Sequence, residues 1–195
     1  MTEPWRLDDD DEARWAAVLE LHRRPDPATF ALAAGMCASP DPDVRRFGID
    51  VLAQLGVEDR PFRADALPIL ARALDDPEPA VAAAAAVALG HHHLEVEDGV
   101  HPALVALGRH PDPRVRLGVV HGLLGLDDAS VVAALIAASE DPDPRVRDWA
   151  TFGLGTALDL DTPAIRAALV ARVDDPDPDV REEAEAGLRA RGVSR

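Results

Sequence analysis

A pentapeptide of alternating prolines and acidic residues recurs five times in this 195-residue chain, as PDPDV at 40–44, PEPAV at 77–81, PDPRV at 111–115, PDPRV at 142–146 and PDPDV at 176–180. An acidic side chain can cap the start of a helix, and a proline directly after it fits the first helical position, where no amide donor is needed. The other proline disfavours helical geometry in the residue before it, so an upstream helix must stop there. Each copy is therefore a corner between two helices. The five valines lie 37, 34, 31 and 34 residues apart, and each is followed eight residues later by a leucine, at Leu52, Leu89, Leu123, Leu154 and Leu188, with a small or branched residue midway. Those three positions share one face of a helix, which marks the side that each corner helix buries.

Upstream of each corner lies a second amphipathic segment of about three helical turns: ATFALAAGMCA, ALPILARAL, PALVALGRH, SVVAALIAASE and PAIRAALVARV. Helix, corner, helix and loop at this period describe an all-α fold, an α-solenoid whose helical hairpins stack into a right-handed superhelix and bury their apolar sides against one another. The expected organisation is an N-terminal arm and capping helix at 1–26, then one continuous solenoid of five units at 27–63, 64–98, 99–130, 131–163 and 164–195. Composition agrees: 47% of residues are hydrophobic but only 4% aromatic, so the interior is built from Ala, Leu and Val. The stretch DDDDEARWAAVLELHRR at 8–24 reads as a capping helix, with an acidic start and Arg23 and Arg24 at its end to complement the dipole. Trp15, Val18, Leu19 and His22 form the stripe expected to seal the stack. At the other end, REEAEAGLRARG carries charge where its siblings are apolar, as a terminal cap requires.

Charge narrows the partners. Acidic residues outnumber basic ones by 36 to 20, a formal charge of −16, so the average surface repels a phosphate backbone and nucleic acid is not an expected partner. All 20 cations are Arg, and Tyr and Asn are absent, the imprint of a high-GC bacterial genome. The single cysteine, Cys37, reads as a buried core residue, excludes an internal disulfide and points to a reducing compartment. The opening MTEPWRLDDDDE lacks the basic and apolar regions of a secretory signal, and no run of apolar residues is long enough to span a bilayer, so a cytoplasmic protein is expected.

On these motifs the chain resembles the HEAT-repeat proteins over residues 27–195, especially the short bacterial units called phycobilisome-lyase HEAT-like. The resemblance implies a polar ladder between adjacent repeats, from an Asp five residues before the corner Val to an Arg directly after it. Asp76, Asp141 and Asp175 match, as do Arg45, Arg116, Arg147 and Arg181. Ser39, His110 and Ala82 depart from the pattern, so the ladder is expected to be incomplete around the second and third units. The resemblance also implies that the second helix of each hairpin lines a concave binding face.

Two and six residues after each Val, the positions pointing most nearly away from the core side, and three residues after it, on the flank, stand Arg46, Phe47 and Asp50; Ala83, Ala84 and Val87; Leu117, Gly118 and His121; Asp148, Trp149 and Phe152; and Glu182, Glu183 and Ala186. The middle of this row is apolar, and Val87, Leu117, His121, Asp148, Trp149 and Phe152 are the candidate partner-binding groove. Folding of Trp149 and Phe152 over the gaps at Gly118, Gly153 and Gly155 is the alternative that spacing leaves open.

His91, His92 and His93, with Glu95 or Glu97, are weak metal-ligand candidates, because consecutive residues of a helix end point in different directions and no paired HExxH spacing is present. No glycine-rich phosphate loop or nucleophile elbow occurs, and no cofactor is expected. The expected function is a non-enzymatic scaffold or adaptor that binds a protein or peptide, with an inhibitor or immunity-type role as one version. The alternative is an enzyme of bilin-lyase-like or metal-dependent modifying type.

Overall fold

The computed structural model describes residues 9–92 and 101–193. Among them are eleven α-helices, in two compact units, residues 1–92 and 93–195. In the first unit, α1 (Asp9–His22) precedes two hairpins, α2 (Pro27–Met36) with α3 (Pro42–Gln54) and α4 (Arg63–Ala73) with α5 (Pro79–His91). In the second, α6 (His101–Leu107) pairs with α7 (Pro113–Leu123), α8 (Ala129–Ala138) with α9 (Pro144–Phe152), and α10 (Pro163–Arg172) with α11 (Pro178–Ala190). Helix α9 runs on into a π-helical turn, Gly153–Ala157. Within each unit the second helices of successive hairpins pack side by side, α3 on α5 and α7 on α9 on α11, which is the layering of an α-solenoid.

The corners form as their chemistry dictates. Asp41, Asp112, Asp143 and Asp177 each accept a hydrogen bond from the amide two residues on, at 2.8–3.0 Å, and each is followed by the proline of the first turn. Glu78 departs from the expectation and makes no side-chain cap. Its extra methylene carries the carboxylate past the amide that aspartate reaches.

Val81, Val115, Val146 and Val180 are at most 1% exposed, and the leucines eight residues on are buried with them. Val44 is not: it is 37% exposed. Its hairpin has only the single helix α1 before it, although Val115, whose hairpin opens the second unit, is buried all the same. The capping stripe is also rotated from its expected place. Val18 is fully buried but Leu19 is 49% exposed, and the turn before Val18 brings Arg14 inward to an ion pair with Asp50 of α3. Asp50, expected on the outward row, is consequently buried. Cys37 is half-buried, and burial pushes its thiol up to about 11.

Three rungs join hairpins within the units. Arg45 Nε and Nη2 donate to Asp76 at 2.7 and 2.8 Å, Arg116 to Asp141 at 2.6 and 2.8 Å, and Arg147 to Asp175 at 3.1 and 3.0 Å. In each, Nη1 also donates to the two carbonyls that open the arginine's own corner. Among the described residues Arg181 makes only this carbonyl contact, to Asp175 and Pro176. The corner aspartates have a second task, because Asp76, Asp141 and Asp175 accept the amide two residues on. Ser39 and His110 do the same with Oγ and Nδ1, at 3.2 and 3.1 Å. These two departures therefore keep the corner bond and lose only the charge.

Beneath the end of α9 the chain comes unusually close to α11. A Cβ added to Gly187 would lie 2.6 Å from Gly155 Cα and 3.2 Å from Leu169. Gly187→Ala would gain about 1 kcal/mol of helix propensity but lose about 3 kcal/mol to overpacking against backbone. A net loss of about 2 kcal/mol is expected by urea denaturation; an unchanged or raised midpoint would show that the two helices can part without cost.

Candidate functional site

Five of the six candidate groove residues belong to the second unit: Leu117 and His121 on α7, and Asp148, Trp149 and Phe152 on α9. Val87 is half-buried on α5 of the first unit, so the site is built from second-unit residues alone. Trp149 and Phe152 are three residues apart and share a helix face. Their rings meet edge to face at 5.5 Å and 76°, and His121 of α7 meets Trp149 at 4.4 Å and 82°. The result is a row of three rings in the edge-to-face geometry that aromatic quadrupoles favour. Trp149 remains 38% exposed, while His121, Leu117 and Phe152 are half-buried.

Other atoms occupy the spaces that small residues leave nearby. The open side of Gly153 is met by Leu124 and Leu135, and that of Gly155 by Gly187. The π-turn that carries both glycines is held by Arg191, which donates to the carbonyls of Gly155, Leu154 and Leu160. The sequence reading missed this staple and the Gly155–Gly187 approach; the run of glycines inside a helical pattern was the one signal available. Widened turns of this kind often accompany functional sites.

Carboxylates stand on α9, which carries two of the rings, and on the adjoining α11. Burial, together with Glu183 and Asp179 of α11 and its cap Asp177, pushes the Asp148 carboxyl up to about 6. Glu183 is raised in its turn by burial and by Glu182 and Asp179. Asp76 and Asp175 of the ladder behave in the opposite way. Burial alone would raise Asp175, but hydrogen bonds from Arg147 and the Asp177 amide, with the charges of Arg147 and Arg172, hold it below the usual carboxylate range.

The histidine cluster is divided. His92 is buried and its Nε2 lies 3.1 Å from the Leu52 carbonyl, whereas His91 Nδ1 faces the Gln54 amide at 3.1 Å. His93, Glu95 and Glu97 lie outside the described residues, among which no group of three His, Cys, Asp or Glu side chains is placed to hold a metal ion. No helix there is long and apolar enough to cross a membrane.

A family model described as HEAT repeats matches residues 5–90 and 100–189. No match is found among curated proteins. Among solved structures, the Escherichia coli protein YibA is similar at 21% identity and a TM-score of 0.67, over 98% of this chain and 78% of that one. A designed armadillo repeat protein in complex with the peptide (KR)4 is similar at 16% identity and 0.63, over 94% and 95% of the two chains. An archaeal HEAT-like repeats protein from Thermococcus onnurineus NA1 is similar at 18% identity and 0.56, over 94% and 80%. At these identities the likeness is one of fold. None of these matches points to the phycobilisome-lyase subgroup.

Proposed function

Because the chain belongs to the HEAT-repeat family, we propose that it is a protein-binding scaffold which holds a peptide or protein segment against the α7–α9–α11 face of its second unit. The observation that carries this reading is Trp149, a large aromatic left 38% exposed at the centre of a ring row while the gaps at Gly153 and Gly155 are filled by other groups. An aromatic held rigidly by its neighbours loses little entropy on binding, which is why such residues anchor interfaces. The fold is one on which a designed relative carries a peptide, (KR)4, and that precedent favours a scaffold over an enzyme. Leu117, His121 and Phe152 supply apolar surface beside the anchor, and Asp148 supplies charge. An inhibitor or immunity-type role would be one form of the same binding.

The test is selection of ligands from a random peptide library by the native chain, followed by calorimetry of the selected peptides on a Trp149→Ala, Phe152→Ala variant. Loss of two interface anchors should weaken binding at least about tenfold while helical circular dichroism is unchanged. A folded variant that binds the selected peptides as tightly as the native chain would remove this face from consideration.

A further inference from the structure

We propose that the occupant of this face is a cationic segment, in which an arginine or lysine side chain lies against the Trp149 indole and its charge is met by the Asp148 and Glu183 carboxylates. This rests on the docking reading above and names the partner's chemistry. Three observations carry it.

The first is the anchor. An exposed indole presents a negative π-face, and a guanidinium or ammonium is the side chain that such a face attracts beyond simple burial. The second is the distribution of counter-charge in the second unit. Arg116 and Arg147 are engaged by Asp141 and Asp175, Arg172 by Asp175, Arg145 by the Asp143 cap and Arg191 by backbone carbonyls. Asp148 and Glu183 stand on adjoining helices, and no ion pair or hydrogen bond to either carboxylate is found among the described residues. Each also lies close enough to other carboxylates to be pushed up by them. The fold thus assigns its arginines to corners and rungs and leaves Asp148 and Glu183 without a cation among the described residues. The third is the whole-chain field. A formal charge of −16 draws positively charged segments inward and repels phosphate-bearing or acidic ones, so complementarity selects a basic partner both at long range and at the contact.

The two contributions act together. A cation brought over the indole is desolvated on one side, and the flanking carboxylates restore what water supplied. A neutral side chain of equal size would gain the apolar contact but leave Asp148 and Glu183 covered and uncompensated, and would bind less well than its area suggests.

Calorimetry with an alternating alanine–arginine octapeptide and its citrulline counterpart tests the inference, since citrulline keeps the shape of arginine and removes its charge. At about 0.1 M salt the arginine peptide should bind at least about tenfold more tightly than the citrulline peptide. The Asp148→Asn, Glu183→Gln variant should lose most of that preference. Glu58→Gln, Asp59→Asn, the same charge change in the first unit, should keep it. If both peptides bind equally and Trp149→Ala, Phe152→Ala weakens both, the docking face stands and its cationic preference is wrong. A first-unit variant that loses as much affinity as the site variant would reduce the effect to bulk charge and overturn the inference. Absence of measurable binding by the arginine peptide overturns it as well, and leaves the docking face to be judged on library-selected peptides alone.

Discussion

Asp175→Ala is expected to cost about 3–5 kcal/mol of stability, the typical result of removing one partner from a buried charge pair. The Asp175 side chain is 2% exposed, and it receives Arg147 at 3.1 and 3.0 Å, Arg172 at 3.5 Å and the Asp177 amide at 3.0 Å. Alanine there leaves two guanidinium groups facing a void and an amide at the start of α11 without its acceptor. The loss far exceeds what an exposed pair such as Arg24–Glu20 can contribute, because that pair is solvated with or without its partner. Urea titration of the native chain, Asp175→Ala and Asp175→Asn would measure it. Asparagine keeps the amide acceptor but not the charge, so it should fall between the other two. Equal midpoints for all three would show that the rung contributes geometry without stability.

The joint variant Arg147→Met, Asp175→Leu gives a sharper test. Removing Arg147 together with Asp175 leaves only Arg172 without its carboxylate, and that guanidinium is 21% exposed and still donates to the Ser139 carbonyl; a well-packed apolar replacement of a buried pair is often neutral. The double variant is therefore expected to be more stable than Asp175→Leu alone. That non-additivity would identify the rung as an orientation device between hairpins.

The corners were legible in the sequence because their chemistry is local, whereas the rungs, which join residues 25 to 31 positions apart, were legible only through the family resemblance. An aspartate two residues before an amide, with proline between, has one easy conformation wherever it stands, and Asp41, Asp112, Asp143 and Asp177 all adopt it. Glu78 escaped that logic by one methylene. The ends of the stack were less legible, because burial there depends on what precedes the helix. Val44 has the pattern of its four siblings but no complete hairpin before it, and a turn of phase in α1 exchanges Leu19 for Arg14. The ring row lies between these cases. Spacing placed Trp149 and Phe152 on one face, but whether that face was open depended on Leu124, Leu135 and Gly187 filling the neighbouring gaps, contacts made at long sequence separation. The placing of Asp148 and Glu183 on adjoining helices needed the pairing of α9 with α11, which periodicity alone does not supply.

Mild acid should loosen the first unit while favouring the second. His92 is 2% exposed, and burial, with the nearby charges of Arg60 and then Arg63 and His91, lowers it to about 4 despite its contact with the Leu52 carbonyl. A histidine lowered in the folded state binds its proton more readily when unfolded, so stability is whole above about pH 6.5 and falls as the pH drops towards 4. The shift corresponds to about 3 kcal/mol at the acid end. Asp148 acts in the opposite sense: raised to about 6, it holds a proton in the folded chain that the unfolded chain gives up, so stability is gained as pH falls through 6 towards 3.8. Its partial exposure limits that gain to about 1 kcal/mol. Asp76 and Asp175 stay ionised through this window, since both are held below the usual carboxylate range. Amide hydrogen exchange at pH 7 and pH 5 separates the two groups by place. Protection in α3 and α5 should decline on acidification, protection in α9 and α11 should hold or rise, and Asp148→Asn should abolish only the second response. Uniform loss of protection across both units would show that neither His92 nor Asp148 governs the acid response.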